Sequence, residues 1–469
     1  MTFRRLLLLV AVTLAAPSAL AGPLDDAHVA DTGFSGPTSG DLTAIYWNPA
    51  GLGLLQGPQL MLGGSLQLTS VRVDRSSSPG STTFPTTAGS GTLQPFRWPL
   101  GPASFIGIGA GFGHRFGIAI ALYSPFSSTL SMPENAPTRY QLVSLDLNHL
   151  APTIGLAIHA TDSIQIGVAP SFVFPTAHLV FKETPVGGSS EDPTTASTYD
   201  LATQGILVPA YILSVGAQYR RGRFSLGFSY TTAPLGTSGM LNLPLDNAHI
   251  VLSSAAGGGD LCGSPNNHCL AGEMSYRLPS IYNLGATWQA TKNWSVTGVV
   301  RWLRYGAHDT IGILLSGPPD KTALGTSVPD HVVLYRGFQD NVDLRGRVVW
   351  EDKHMRLGAT LRLETSAVPA ANVNAAAIDG TKLEPSVAFE MRIWRQIRMS
   401  AGYAFLWMFP VDTGTSVFDP TAATTCANTG GDLSSAACQA RMNGQARPSA
   451  AGNYRQWRQT LSVMTTFAF

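Results

Sequence analysis

From about residue 58 onward, apolar side chains alternate with polar or small ones at a period of two. That is the pattern of strands with one apolar face, not of helices. It predicts strands over Gln59–Val73, Ala103–Phe112, Phe116–Ser127, Gln141–Ala160, Ser163–Lys182, Ile206–Arg220 and Phe224–Ala233. Further strands are predicted over Met274–Ala290, Trp294–Leu315, Val332–Glu351, His354–Thr365, Pro385–Trp394, Ile397–Phe409 and Trp457–Phe469. The total is about fourteen, an even number of the kind bacterial single-chain barrels use. In the last strand Trp457, Leu461, Val463, Phe467 and Phe469 share one parity, and Arg458, Thr460, Ser462, Thr466 and Ala468 the other. Apolar-out, small-or-polar-in alternation running into a terminal aromatic is how a lipid-facing barrel strand ends.

The connections alternate in length. Short turns are expected at 113–115, 161–162, 221–223, 291–293, 352–353 and 395–396, and long ones at 74–102, 128–140, 183–205, 234–273, 316–331, 366–384 and 410–456. Short turns belong on the periplasmic side and long loops outside.

Composition supports a membrane barrel over several soluble domains. Charged residues make up only 13% of the 469, about half the usual share. Beyond the N-terminal leader no apolar run approaches the ~18 residues a membrane helix needs, and a closed barrel is the other structure that satisfies its backbone in lipid. The formal net charge of +1 gives no sign of a nucleic-acid partner. Arg4 and Arg5, the apolar run Leu6 to Ala16 and the site Ala19-Leu20-Ala21 form a secretory signal over 1–21, with maturation expected before Gly22.

Four cysteines fall into two local pairs, Cys262 with Cys269 and Cys426 with Cys438, each in a long connection. Neither has zinc-site spacing, so no metal is expected. In an exported chain, short-range disulfides clipping outer loops are the expectation.

Residues 22–57 do not alternate. Asp41 to Trp47 reads as a short helix opened by Ser39 or Asp41. It stops at Asn48-Pro49-Ala50-Gly51, because proline excludes helical geometry at the residue before it. So small a segment has too little core to fold alone; a plug inside a barrel formed by 58–469 is the economical arrangement.

Asp41-Leu-Thr-Ala-Ile-Tyr-Trp-Asn-Pro-Ala-Gly-Leu52 resembles the Asn-Pro-Ala hatch motif of the FadL/TodX outer-membrane hydrocarbon transporters. Phe116-Gly-Ile-Ala-Ile-Ala-Leu-Tyr-Ser-Pro-Phe126 is similar to the family's third strand, and Arg139-Tyr140 to the residues before its fourth. Looser similarity recurs in Leu226 to Tyr230 and Ala401 to Phe405. The resemblance implies an all-β transmembrane barrel of about fourteen strands in a Gram-negative outer membrane, with an N-terminal hatch. It also implies passive uptake of long-chain fatty acids or other hydrophobic compounds. Ligand would leave sideways at a kink in strand three, beside Asn48, Pro49 and Ala50. The chain departs from the family at Ser127-Ser128-Thr129, where a glycine is usual.

Asn48 carries a side-chain amide that could hold backbone groups in a kinked wall, or could simply form a turn before proline. Phe34, Tyr46, Trp47 and Leu52 could line an apolar ligand pocket or glue the hatch to the wall. Arg139 could meet a carboxylate or be solvated at a strand border. Expected partners are a hydrophobic small molecule, surrounding lipid and lipopolysaccharide, and the barrel-assembly machinery through Phe469; no cofactor is expected.

Two other classes compete. One is a structural or adhesive barrel with disulfide-clipped loops. The other is a lipid-active enzyme, for which His149, His159, His354, Ser144 and Asp146 are candidates, although no nucleophile motif frames them. An open porin is disfavoured by the scarcity of charge to line an aqueous lumen.

Overall fold

In Phe116–Tyr123 the inward Gly117, Ala119, Ala121 and Tyr123 are buried, whereas Phe116 and Ile120 stand on the outer surface. The same alternation puts Ile108, Ile154, Leu226, Leu284, Leu344, Leu361, Val387 and Leu461 outside. A surface this apolar is suited to lipid. The computed structural model describes residues 31, 33–76, 87–94, 104–113, 115–183, 197–203, 209–237, 239–252, 259–260, 270–316, 331–414, 416 and 450–469. The expected signal segment, the start of the expected hatch and all four cysteines lie outside the described residues.

Fourteen antiparallel staves close the barrel. They are β1 (Gly57–Arg75), β2 (Thr87–Gln94 and Phe105–Phe112), β3 (Phe116–Tyr123 and Ser127–Ser131), β4 (Ser144–His159) and β5 (Ile164–Glu183). Next come β6 (Ser197–Thr203 and Ala210–Arg221), β7 (Phe224–Thr231 and Met240–Leu252), β8 (Leu270–Arg277 and Ile281–Gln289) and β9 (Trp294–Leu303 and Thr310–Ser316). The ring is completed by β10 (His331–Tyr335 and Asn341–Glu351), β11 (Met355–Glu364), β12 (Lys382–Trp394), β13 (Ile397–Met408) and β14 (Gly452–Ala468). Closure is a continuous ladder from Gln59↔Ala468 to Arg75↔Gly452.

Several segments expected as loops are strands. Thr87–Gln94 pairs with β1, Ser197–Thr203 with β5, and Met240–Leu252 with both Ser197–Thr203 and Leu270–Arg277. They extend the wall at the end bearing the long connections. Two other connections fold inward. Met132, Ala136, Tyr140 and Leu142 are buried, as are Ala367, Val368, Val373, Ala375 and Ile378. The Ala375 amide donates to Gln141 Oε1 at 2.8 Å, joining the two across the mouth.

Residues 33–55 cross the inner face of the wall at a steep angle to the staves. Within this segment lie α1 (Ala44–Trp47) and a 3-10 turn over Pro49–Leu54. The path is marked by inward glycines, which allow backbone to approach backbone. A Cβ at Gly227 (β7) would fall on the Pro37 carbonyl, and one at Gly167 (β5) on the Pro49 carbonyl. One at Gly117 (β3) would meet the Leu52 carbonyl, and one at Gly111 (β2) that of Leu55. The chain then turns at Gly57 (φ 68°) into β1.

Candidate functional site

Strand three is broken where it meets the lumen. Below the break, β3 pairs with β4 in the register Tyr123↔Ala151; above it the register is Ser127↔Asn148. Ser124, Pro125 and Phe126 therefore oppose only Leu150 and His149, a one-residue bulge that bends the strand. Pro125 adds to the interruption because it has no N–H to give to a ladder. On the other side, Phe105–Phe112 of β2 pairs with Phe116–Tyr123. Among the described residues, no ladder joins Thr87–Gln94 to Ser127–Ser131.

A narrow gap, with a cavity volume of only about 20 Å³, lies directly behind the break. Pro125, Phe126, Ala151, Val173, Ile212 and Ile281 give it apolar walls, and Tyr46 and Tyr123 also line it. Ser171, Ser214, Thr231, Asn283 and Arg301 add polar groups. Arg301 is already engaged: its Nε donates to Asn283 Oδ1 at 2.9 Å, and Nη1 lies 3.7 Å from Asp343. The lining of the gap is mainly apolar, but in this conformation the gap has room for about one water molecule, so a larger guest requires the walls to part.

The opposite side of the lumen is charged, which the low overall content of charged residues did not suggest. Asp343, Arg345 and Arg347 of β10, Arg362 and Glu364 of β11, and Lys382 and Glu384 of β12 all point inward and are buried. Asp343 lies 2.6 Å from Arg345 and 3.0 Å from Arg362. Glu364 pairs with Arg362 and, at 2.9 Å, with Lys382, which also meets Asp379 at 2.6 Å. Charges taken out of water this far must be paired, because each costs several kcal/mol otherwise. A gap of similar size, about 30 Å³, lies in this half too, but Arg345, Arg362, Glu384, Ser386 and Ser462 line it, so its walls are polar.

The segment that crosses the wall is held between the two halves. Two guanidiniums approach the Trp47 ring, Arg301 at 5.0 Å and Arg345 at 4.8 Å from its centroid, a cation–π arrangement. Its carbonyl accepts from Ser229 Oγ at 2.7 Å. Arg347 donates to the Ser35 carbonyl at 2.6 Å, and Arg345 approaches Asp31 at 3.7 Å.

The residues singled out in the sequence are distributed along this path. Asn48 is fully buried, and its Nδ2 donates to the carbonyls of Pro37 (2.7 Å) and Ala217 (3.1 Å). Its Oδ1 accepts from the Ala50 amide at 3.2 Å. The amide thus fastens to β6 and does not reach β3 as expected. The reason is geometric: the motif runs across the staves, so successive residues meet successive strands. Pro49 and Ala50 lie on Gly167 of β5, and Leu52 lies on Gly117 and Gly155 of β3 and β4. Tyr46 lines the gap, whereas Trp47 and Leu52 are buried without lining it. Phe34 packs on Gly358, with Arg356 4.4 Å from its ring centroid. Arg139 is neither solvated nor at the cavity: it is buried, donates to the Ala136 carbonyl at 3.0 Å and stacks on Tyr140.

The residues weighed for an enzyme do not converge. His159 Nε2 meets the Gly53 carbonyl at 2.7 Å, Asp146 accepts from Thr129 and Asn148, and His354 sits in a short turn. His149 holds the Phe126 carbonyl through Nδ1 at 2.6 Å and the Tyr276 hydroxyl through Nε2 at 2.7 Å. Beyond Tyr276, in the connection between the two segments of β9, lies His308, whose Nδ1 donates to the Arg277 carbonyl at 2.6 Å. Burial, reinforced by the nearby Arg336 guanidinium, pushes the His308 imidazole down to about 3.

Comparison with known proteins agrees with this architecture. The sequence profile of the family described as "Outer membrane protein transport protein (OMPP1/FadL/TodX)" matches residues 13–446. No curated relative matches the chain. Among solved structures, a FadL homologue from Pseudomonas aeruginosa superposes with a TM-score of 0.70 at 12% identity, covering 96% of this chain and 100% of that one. The toluene transporter TodX of Pseudomonas putida gives 0.61 at 13% identity, covering 97% and 100%. The toluene transporter TbuX of Ralstonia pickettii gives 0.55 at 13%, covering 94% and 100%. At these identities the likeness is one of fold.

Proposed function

The chain belongs to the OMPP1/FadL/TodX family of outer-membrane transport proteins, and from that premise we propose that it admits small hydrophobic compounds passively and releases them sideways at strand three. The observation that carries the reading is the contact between the cavity and the break: Pro125 and Phe126 belong to both. An apolar molecule gains roughly 25 cal/mol for each Å² it buries, so apolar walls such as Val173 and Ile212 favour capture once they part to admit it. Sideways release lets the molecule enter the bilayer without crossing periplasmic water. The charged half of the lumen supports the same reading, since the gap there is lined by ion-paired groups such as Arg345, Arg362 and Glu384 and is unfavourable to an apolar solute.

In this scheme residues 22–57 form the hatch and 58–469 the barrel. The molecule enters from the end with the long connections, which faces outward. Fatty acids and aromatic hydrocarbons are the two substrate classes; the toluene transporters among the similar structures favour the second. The pairs Cys262–Cys269 and Cys426–Cys438 close disulfides in the outer connections. Peptide mapping without reductant should recover each pair, and free thiols at these positions would refute it.

Obstructing the gap behind the break tests the transport reading. Val173→Trp should abolish uptake of radiolabelled toluene and palmitate into proteoliposomes while the barrel still migrates as a heat-modifiable band. Undiminished uptake of both by a folded Val173→Trp barrel would rule out this cavity as the route. Mass spectrometry of the detergent-extracted protein would identify the class of molecule it carries.

A further inference from the structure

The bulge in β3 has a cost that the hatch does not meet. A strand interrupted inside a membrane wall must find other partners for its backbone, because lipid supplies none. Asn48 is committed to Pro37 and Ala217. The Ser124 hydroxyl, fully buried at the break, makes no hydrogen bond within the described protein. The side chain that does reach the broken backbone comes from the facing stave. His149 occupies one of the two β4 positions opposite the three residues of the bulge.

We propose that His149 is the positioning residue that holds the strand-three break in shape, bracing it against β8 through Tyr276. Three observations carry this. Nδ1 is 2.6 Å from the Phe126 carbonyl, so it bears the proton and donates. In the neutral ring Nε2 is then an acceptor, and it receives the Tyr276 hydroxyl at 2.7 Å. The rings make edge contacts in sequence: Phe126 to His149 at 5.9 Å, His149 to Tyr276 at 5.9 Å and Tyr276 to His308 at 5.9 Å. The imidazole and the Tyr276 ring are both buried. Phe126 thereby gains a fixed orientation as a cavity wall, and the break is tied to a stave that β3 does not touch.

The role in release rests on the transport reading above; the role in holding the break does not. The two are separated by measuring each. Amide exchange at Ser127–Leu130 in detergent reports the brace. His149→Leu should speed that exchange about tenfold, the effect of losing one buried hydrogen bond. Tyr276→Phe should do so more weakly, because the Phe126 bond survives. His149→Asn keeps a donor near the Nδ1 position and should restore much of the protection. Toluene uptake into proteoliposomes reports release, and His149→Leu should lower it with little change in the heat-modifiable band. Unaltered exchange at Ser127–Leu130 in His149→Leu would overturn the proposal. Faster exchange with uptake unchanged would uphold the brace and count against sideways release at this break.

Discussion

Asn48 Nδ2 lies 3.1 Å from the carbonyl of Ala217, so the amide of the hatch motif is anchored to β6 while the break lies in β3. Between them the 3-10 turn over Pro49–Leu54 spans β5 and β4. The Asn48 anchor and the break are therefore joined by a short segment packed backbone to backbone on the wall, not by one shared hydrogen bond.

This arrangement makes Asn48→Ala informative. The substitution leaves the buried Pro37 carbonyl without its donor and removes the acceptor for the Ala50 amide. Leaving such groups unpaired costs about 1–3 kcal/mol each. Barrel assembly should survive, since no wall ladder depends on Asn48. The hatch should loosen, raising single-channel conductance for small ions. Conductance equal to that of the unaltered protein would mean that the amide does not fasten the hatch.

A second prediction concerns the charged half of the lumen. Asp343 faces three guanidiniums, those of Arg345, Arg362 and Arg301. Asp343→Asn keeps the shape and removes the charge, leaving buried cations undercompensated. Breaking a buried network in this way costs about 3–5 kcal/mol. The folded band should be lost at a clearly lower temperature in a heat-modifiability series. Asp343→Asn melting with the unaltered protein would show that the network contributes no net stability.

The alternation made the staves legible because lipid demands an apolar outer face. Phe116, Ile118, Ile120 and Leu122 could be read directly against Gly117, Ala119 and Ala121. Thr87–Gln94, with the sequence Thr-Ala-Gly-Ser-Gly-Thr-Leu-Gln, carries no such signal. A strand that extends the wall beyond the apolar belt has no need of one. The charged half of the lumen did leave a mark, in the same-parity runs Asp343-x-Arg345-x-Arg347, Arg362-x-Glu364 and Lys382-x-Glu384. Counting charges over the whole chain hid it. Parity shows that they converge. The partner of Asn48 was not legible, because it depends on the path the hatch takes across the staves and not on any local pattern. His149 was singled out for its chemistry, but its place opposite the bulge emerges only from the register of β3 against β4.

The last prediction follows from His308 and its sign can be worked out. An unfolded histidine titrates near 6.5, whereas in the fold burial pushes this one down to about 3. Above the higher value both states are neutral and pH has no effect through this group. Between the two, the opened state takes up a proton that the folded state refuses. Stability therefore falls with acidification, by at most about 1.4 kcal/mol per pH unit. The charged and titratable groups facing the ring, Arg336 and His149, both disfavour a further positive charge. The effect should be local. His308 donates its amide to the Tyr305 carbonyl, and the Arg336 and Gly337 amides donate to that of Asp309. These amides should exchange progressively faster between pH 7 and pH 5, after correction for intrinsic rates, while those of the β1–β14 ladder stay protected. His308→Gln cannot titrate and should abolish the dependence. The same pH dependence in His308→Gln would assign it to another group, and its absence from the unaltered protein would mean that His308 takes up no proton when this connection opens.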